Sequence, residues 1–285
     1  MTLPGIIRAF MAVLRSDLNR KILLGGTAKS PDDVIFLHKL GLRFAEITIM
    51  NPADFRLLHD KYRALPRVGD FFYLCHGPRE GDPNDLHTLE TIYLPKLLQI
   101  LDIMPELEMR LLTLHLWMDP RFVSEEAVAY KISFLTRIIQ RASGSGIVVC
   151  LENLSENVVH LAEVFAAVPQ LNLTLDLGHA ELLSKENTSF GFLENCPDRI
   201  KHIHLHDNHG GTSPDDDLHL PPGEGKIDFQ KIFQRLHAVH YTETITLELQ
   251  PGQIESCLGY VKRLVYPTEY QEGTSDERYH QNSSL

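Results

Sequence analysis

Eight short apolar runs recur along the chain, and each is followed by a longer stretch with helical periodicity. The runs are rich in β-branched and large apolar residues, which is typical of strands buried on both faces of a parallel sheet. We predict strands at residues 21–25, 43–49, 70–75, 110–116, 146–151, 171–176, 200–205 and 244–249. Eight such strands alternating with helices over about 245 residues predict an α/β fold, a single (β/α)8 TIM barrel.

The main alternative to a barrel is an open, doubly wound parallel sheet. Dinucleotide-binding sheets of that kind carry a G-x-G-x-x-G motif after the first strand, whereas this chain has only Gly25 and Gly26 there. Within the helical stretches, residues 51–65 predict one helix, and residues 184–198 predict mostly loop and short turns. No linker-like segment interrupts the pattern, so we expect one domain.

The barrel is expected to occupy residues 21–266, between two segments of different character. Residues 1–20 have apolar side chains interrupted by arginines, which predicts an amphipathic helical extension rather than a signal peptide. Residues 267–285 are polar and predict a flexible tail. The apolar residues of Leu3–Leu14 suit either the bottom of the barrel or a partner subunit, so a homo-oligomer stays open.

Charge and cysteine usage restrict the compartment and the partners. The net charge is −11, which argues against a nucleic-acid partner, because such proteins usually present a basic face. No apolar run reaches the roughly 18 residues that span a bilayer, so we expect no membrane partner. The chain has four cysteines and no C-x-x-C pair, and Cys75 and Cys150 lie inside apolar runs. Buried thiols of this kind indicate a reducing compartment, and we expect a cytoplasmic protein.

Polar side chains at the carboxyl ends of the predicted strands are the main functional signal. Imidazoles or carboxylates end six successive strands, the third to the eighth, and in a barrel these ends meet at one mouth. The residues are His76, His115, Glu152, Asp176, His179, His204, His206 and Glu248. A lone histidine or glutamate at a strand end is more often a hydrogen-bonded core or capping residue. Grouped carboxylates, however, repel one another unless a cation or proton intervenes, so the set predicts a divalent-metal site.

The candidate ligands form two sets with different metal preferences. The oxygen-rich set suits Mg²⁺, Mn²⁺ or Co²⁺, with Zn²⁺ as a further option. It consists of Glu152, Asp176, His204 and Glu248. The histidine-rich set favours Zn²⁺, and its members are additional candidates for metal or substrate binding. It consists of His76, His115, His179, Asp217 and His219.

The chain resembles the xylose isomerase-like barrels, a superfamily with sugar phosphate isomerases, epimerases and apurinic-site endonucleases. The resemblance covers about residues 21–265 and is most specific in five motifs. They are LEN (151–153), LDLGHA (175–180), IKHIHLHDN (200–208), DLHLPPGEGKIDF (217–229) and LEL (247–249). The resemblance implies that the common metal site uses the oxygen-rich set.

The resemblance also implies an isomerase or epimerase that acts on a sugar, a sugar phosphate or a related polyol. In such enzymes the metal stabilises an enediolate, and Glu152 and Glu248 would exchange the substrate proton as acid and base. Glu46, Trp117 and His206 are candidate substrate contacts. For Glu46, a helix-facing salt bridge is an equal alternative, and for Trp117, a plain loop or core position.

Two other functions stay open. In the endonuclease branch, His76 and His115 join Glu152 at one metal, and the oxygen-rich set holds a second. The other residues of the histidine-rich set hold a third. That arrangement implies a multinuclear zinc phosphoesterase. We therefore expect one metal at the common site, and up to three if the endonuclease arrangement holds. The negative net charge and the short acidic loop GPREGDPND argue against it. The third option is a non-catalytic sugar-binding barrel, and the complete ligand set argues against decay of the site.

Overall fold

Eight parallel strands pair in chain order and close into a barrel, with the first strand paired to the last. The computed structural model describes residues 21–65 and 70–267, so the predicted extension at 1–20 and nearly all of the predicted tail lie outside the described residues. The strands are β1 Leu23–Ala28, β2 Phe44–Thr48, β3 Phe72–His76, β4 Leu111–Leu114, β5 Val148–Glu152, β6 Asn172–Asp176, β7 Ile200–Leu205 and β8 Thr244–Leu247. The predicted single (β/α)8 barrel is confirmed.

Helices follow the strands along the chain and cover the outside of the barrel. They are α1 Pro31–Lys39, α2 Pro52–Arg56, α3 His59–Ala64, α4 Leu86–Thr88, α5 Leu94–Ile103 after a π-helical turn at Leu89–Tyr93, α6 Glu125–Ser143, α7 Val158–Ala167, α8 Ser189–Asn195, α9 Phe229–Ala238 and α10 Pro251–Val265. Ser30 and Ser124 cap α1 and α6 through their hydroxyls, as their positions before acidic first turns predict. Within residues 21–65 and 70–267, no helix is both long and apolar enough to cross a membrane.

Three local predictions differ from the structure. Strand β1 extends to Ala28 because its two glycines pair with β2 and β8 instead of ending the strand. Residues 51–65 form two short helices, because the N–H groups of Leu57 and Leu58 bond three residues back and interrupt the α-helical ladder. Residues 184–198 contain α8, which forms because Phe192 and Leu193 are buried against the rest of the domain.

The core has two compartments, separated by the sheet. The larger one lies between strands and helices, and Ile245 and Leu247 of β8 point into it as the alternation predicts. The smaller one lies inside the barrel near the amino ends of the strands and consists of Phe44, Leu74, Leu111 and Cys150. Nearer the mouth the interior is polar, and the hydroxyls of Thr113 and Thr174 meet across it at 2.9 Å. Polar side chains therefore line the upper barrel.

A buried ion pair holds the loop that follows His115. Lys131 on α6 is completely buried, and its Nζ lies 2.8 Å from Glu80 Oε2 and donates to the carbonyl of Trp117. Glu80 also accepts the N–H of Trp117. Burial lowers the pKa of Lys131 despite Glu80, and burial raises the pKa of Glu80 despite Lys131. Both charges have lost water and depend on each other.

Replacement of Lys131 by methionine should therefore destabilise the protein strongly. Lys131→Met leaves the Glu80 carboxyl buried without its partner, and we expect a loss of about 3–5 kcal/mol in the free energy of unfolding. Urea denaturation followed by circular dichroism measures this loss. Arg137→Met is the control, because it removes a cation from an exposed pair with Glu90 and should shift the midpoint far less. Equal midpoints for the two variants would contradict the role of the buried pair.

Candidate metal centre

The ends of β5 to β8 bring the four predicted oxygen-rich ligands together. Glu152, Asp176, His204 and Glu248 each place one donor atom within 4.8 Å of the others. The Nδ1 atom of His204 is 3.3 Å from Glu152 Oε1, 3.7 Å from Asp176 Oδ2 and 3.5 Å from Glu248 Oε2. We call these four residues the quartet.

Buried atoms of the quartet that lack a hydrogen bond fit a divalent cation. His204 Nδ1, Glu152 Oε1 and Glu248 Oε2 are buried and have no hydrogen-bond partner among the described residues. A buried polar atom without a hydrogen bond costs about 1–3 kcal/mol, so three that face one another mark a position that suits a cation. Three carboxylates and one imidazole are a donor set that divalent metals accept. The quartet would hold such an ion.

Two histidines approach the other oxygen of Glu152 and form an inner group with it. His115 Nε2 lies 2.8 Å from Glu152 Oε2, and His76 Nε2 lies 3.3 Å from the same oxygen. His76 Nδ1 is 2.8 Å from the carbonyl of Gly77, so Nδ1 donates and Nε2 faces the carboxylate. Glu152 is thus shared between the quartet and the inner group.

The outer group lies beside the quartet and contains one donor more than predicted. Asp217 Oδ2 is 3.3 Å from His179 Nε2 and 3.2 Å from His219 Nε2, which brings the three predicted members together. His206 joins them, since its ring stacks on His219 at 3.9 Å and its Nε2 lies 3.1 Å from Asp176 Oδ1. Asp176 therefore connects the quartet to the outer group. His206, a predicted substrate contact, lies among the candidate ligands of the outer group, and its contact with substrate stays a prediction.

The loop that carries Asp217 and His219 is held by a buried carboxylate. Asp207, directly after His206 in the chain, accepts the N–H groups of Gly223 and Gly225 at 2.9 Å each. A Cβ at Gly225 would overlap the Asp207 carboxylate, so the G-E-G motif allows this close approach. Sequence reasoning missed Asp207, although its place beside the histidine motif was a usable signal.

Hydrogen bonds between the Asn153 side chain and the Asp176 main chain connect the LEN and DLGH motifs. Asn153 accepts the N–H of Asp176 at 2.8 Å and donates to its carbonyl at 2.9 Å. A Cβ at Gly178 would overlap the ring of His206, so glycine is required there. These contacts fix the end of β6 against β5 and β7, and they hold Asp176 between its two groups.

Glu46 points into the barrel and contacts histidines rather than a helix. Its Oε2 lies 2.9 Å from His204 Nε2 and 3.2 Å from His202 Nε2. Glu46 is 1% exposed, and the helix-facing salt bridge is wrong. Carboxylates placed in this way orient a metal-binding imidazole by holding its second nitrogen. His202 was not identified from the sequence, where it looks like an ordinary strand residue.

The buried carboxylates are ionised because imidazoles surround them. Burial alone raises the pKa of Glu152, but His115 and His204 outweigh it and hold the pKa well below its usual value. Burial likewise raises the pKa of Glu46, and His204 and His202 overcome it to give a strongly lowered pKa. Both side chains are therefore anions ready to accept hydrogen bonds or a cation.

The imidazoles show the reciprocal effect. Burial lowers the pKa of His204, but Glu46 and Glu152 outweigh it and raise the pKa well above its usual value. Burial also lowers the pKa of His219, and Asp217 overcomes this and raises the pKa to about 9. Burial also lowers the pKa of His76 and of His179, and neighbouring carboxylates outweigh it and raise both pKa values. The neighbouring carboxylates therefore favour the protonated form of these rings in the metal-free protein.

A cavity of about 880 Å³ opens above these groups. Four candidate ligands line it, namely His76, His115, His219 and Glu248. This volume suits a small molecule. Trp117 lies outside the lining, with its ring stacked on Phe122 at 4.7 Å and its Nε1 donating to Ser155. A substrate contact by Trp117 stays a prediction.

Comparison with known families identifies the fold. A family model described as the xylose isomerase-like TIM barrel matches residues 37–264, which include the quartet and both neighbouring groups. The chain belongs to this family. The resemblance inferred from the sequence motifs is therefore confirmed.

Two curated relatives are similar to this chain over parts of the sequence. MJ1311, an uncharacterized protein of Methanocaldococcus jannaschii, is 32% identical over 142 residues, 47% of this chain and 46% of the relative. The 3-dehydro-D-guloside 4-epimerase of Escherichia coli is 26% identical over 125 residues, 41% of this chain and 44% of the relative. The matches to these two curated relatives span about half of their length.

Crystal structures show the same barrel over nearly whole chains. A D-tagatose 3-epimerase-like protein superposes with a TM-score of 0.72 and 20% identity, covering 88% of this chain and 99% of its own. The IOLI protein with a binding zinc atom gives a TM-score of 0.72 and 14% identity, covering 86% and 99% of the two chains. At these identities the superpositions support the fold.

Loss of the Glu46 carboxylate should weaken metal binding without removing a direct ligand. We expect Glu46→Gln to lower metal affinity about 10–100-fold, because the amide holds His204 Nε2 less strongly. Titration of chelator-treated protein with Mn²⁺ or Zn²⁺ measures the change. Glu255→Gln, on the exposed surface of α10, is the matched control and should bind metal normally. Unchanged affinity in Glu46→Gln would show that Glu46 does not support the ligand.

Metal loading should release protons, since metal binds neutral imidazoles and the neighbouring carboxylates favour the protonated form of several rings beforehand. The His219 pKa of about 9 means that its competing proton is bound at neutral pH and leaves as the pH rises toward that value. Metal affinity should therefore fall on acidification, about tenfold per pH unit for each proton displaced. Calorimetry in buffers of different ionisation enthalpy counts the protons. A titration at pH 7 that releases none contradicts the expectation.

Proposed function

We propose that the protein is a divalent-metal-dependent isomerase or epimerase of a sugar, a sugar phosphate or a related polyol. The observation that carries this proposal is the convergence of Glu152 and Glu248 on His204 Nδ1, with Glu248 lining the cavity. Two carboxylates beside one candidate metal position suit proton transfer at a carbon next to a carbonyl. The epimerase activity in the name of the Escherichia coli relative and in that of the D-tagatose 3-epimerase-like structure supports the same substrate class.

The two carboxylates come from different sides of the barrel mouth. Glu152 ends β5 and Glu248 follows β8, so a substrate bound between them has one acid or base on each side. Glu152 is held as an anion by His115 and His204, which makes it competent to accept a proton. Glu248 reaches the cavity with a side chain that is 20% exposed. A divalent cation in the quartet would supply Lewis-acid stabilisation of the charge that develops on substrate oxygens.

A multinuclear zinc phosphoesterase is the second candidate. The specific observation in its favour is that Glu152 and Asp176 connect the quartet to the inner and outer groups, as carboxylates shared by neighbouring metals would. The histidine content of these groups favours zinc. The net charge of −11 argues against a DNA substrate.

The metal content of the purified protein separates the two candidates. After a wash with weak chelator, about one Mn, Co or Mg per chain supports the isomerase or epimerase. Two to three tightly held zinc ions per chain support the phosphoesterase, and cleavage of abasic DNA is then assayed. If the protein contains no metal and none can be loaded, both candidate functions are contradicted. Loaded metal and sugar binding without turnover of any ketose indicate a non-catalytic barrel.

Removal of either proposed acid or base should nearly abolish turnover. We expect Glu152→Gln and Glu248→Gln to lower kcat at least about 100-fold on any ketose that the wild type converts, because each removes one proton-transfer group. Metal content is measured on the same samples, since both residues belong to the quartet. Glu255→Gln serves again as the control. Full turnover in either variant rules out the two-carboxylate assignment.

A further inference from the structure

We infer that the substrate carries an anionic group, a phosphate or a carboxylate, which Lys29 and Arg79 bind at the cavity mouth. This inference rests on the proposed function and specifies its substrate class. Lys29 directly follows β1, and Arg79 lies in the loop after β3. Both side chains line the cavity that opens on the quartet, and both are exposed.

Lys29 and Arg79 differ from two other cations in the loops that follow the strands, because they lack a protein partner among the described residues. Arg121, in the loop after β4, is bound by Asp119 at 2.5 Å, and Lys226, in the loop after β7, lies 3.2 Å from Glu181. Among residues 21–65 and 70–267, neither Lys29 Nζ nor the guanidinium of Arg79 has an ion pair or hydrogen bond. The charges of both side chains are available to a ligand.

The nearest carboxylate in sequence does not neutralise Lys29. Asp33 accepts the backbone N–H groups of Lys29 and Ser30 at 2.9 Å each, as part of the cap of α1. It contacts the main chain and leaves the ammonium group of Lys29 free.

The outer part of the cavity has the opposite sign from the protein as a whole. The chain carries 38 acidic and 27 basic residues, yet the cavity lining contains Lys29, Arg79 and one acid, Glu248. Glu248 faces the quartet and is a proposed metal ligand. A cleft lined by one sign of charge concentrates ligands of the opposite sign, so this mouth favours an anion.

The barrel order places the two cations on one arc of the mouth. Strands β8, β1, β2 and β3 are neighbours in the barrel. Each contributes a residue at or after its carboxyl end to the cavity lining, in the same order Gln250, Lys29, Thr48 and Arg79. The outer group, by contrast, is built from residues after β6 and β7. A substrate whose reactive carbons lie at Glu248 can therefore extend toward β1 and β3. A terminal anion there meets two cations together with amide and hydroxyl donors.

Kinetics on matched substrates test the inference. The metal-loaded protein is assayed with ketohexoses, their 6-phosphates and the corresponding keto-uronates. We expect an anionic substrate to be preferred, and Lys29→Gln with Arg79→Gln to lower the ratio of kcat/KM for anionic over neutral substrate about tenfold per cation removed. The 6-phosphates and uronates distinguish a phosphate from a carboxylate. Lys39→Gln and Arg235→Gln, exposed on α1 and α9, are the charge-matched controls.

Direct binding separates failure of this inference from failure of the proposed function. Calorimetry compares a ketohexose 6-phosphate with the free ketohexose on the metal-loaded wild type and on the double variant. The anion site is supported if the wild type binds the 6-phosphate more tightly than the free ketohexose and the double variant does not. This result counts even if no ketose is turned over. Turnover of neutral ketoses with an unchanged anionic-to-neutral ratio in the double variant overturns the inference and leaves the proposed function intact.

Discussion

The mutual neutralisation of buried carboxylates and imidazoles is the interaction on which the rest of the site depends. Glu152 is completely buried, and its two oxygens face His204 on one side and His115 and His76 on the other. A buried anion is tolerated only with a counter-charge, so the barrel mouth must bring cations or metal to this carboxylate. Its ionisation, and with it the proposed proton transfer, follows from that arrangement.

Residues that do not line the cavity hold these donors in place. Asp207 fixes the loop of the outer group through backbone N–H groups, and Asn153 fixes the end of β6. Glu46 holds the second nitrogen of His204 from below. Because each of these partners is buried, the donors have little freedom to rearrange, as preorganised metal centres require. The cations at the mouth, by contrast, are exposed and unpaired, which suits groups that bind and release a ligand.

Much of the fold and of the candidate site could be predicted from the sequence. The apolar runs predicted the eight strands, and the residues that end them predicted the quartet. The errors have local causes. The glycines of β1 look like a strand end, but they pair with strands on both sides. His202 looks like an ordinary strand residue in the sequence, and only its contact with Glu46 shows that it belongs near the site. The contact of His206 with the outer group was also out of reach, because its stacking on His219 depends on the conformation of a long loop.

The sequence by itself determined the barrel and the set of residues at its mouth, because strand periodicity and strand ends are local properties of the chain. Only the tertiary structure decided which donors share a carboxylate, which way Glu46 points and which cations stay unpaired. These properties depend on contacts between distant segments, such as Glu46 with His204 across 158 positions. Closure of the barrel brings such segments together and leaves some polar atoms without partners, and these atoms carry the proposals for a metal and an anion.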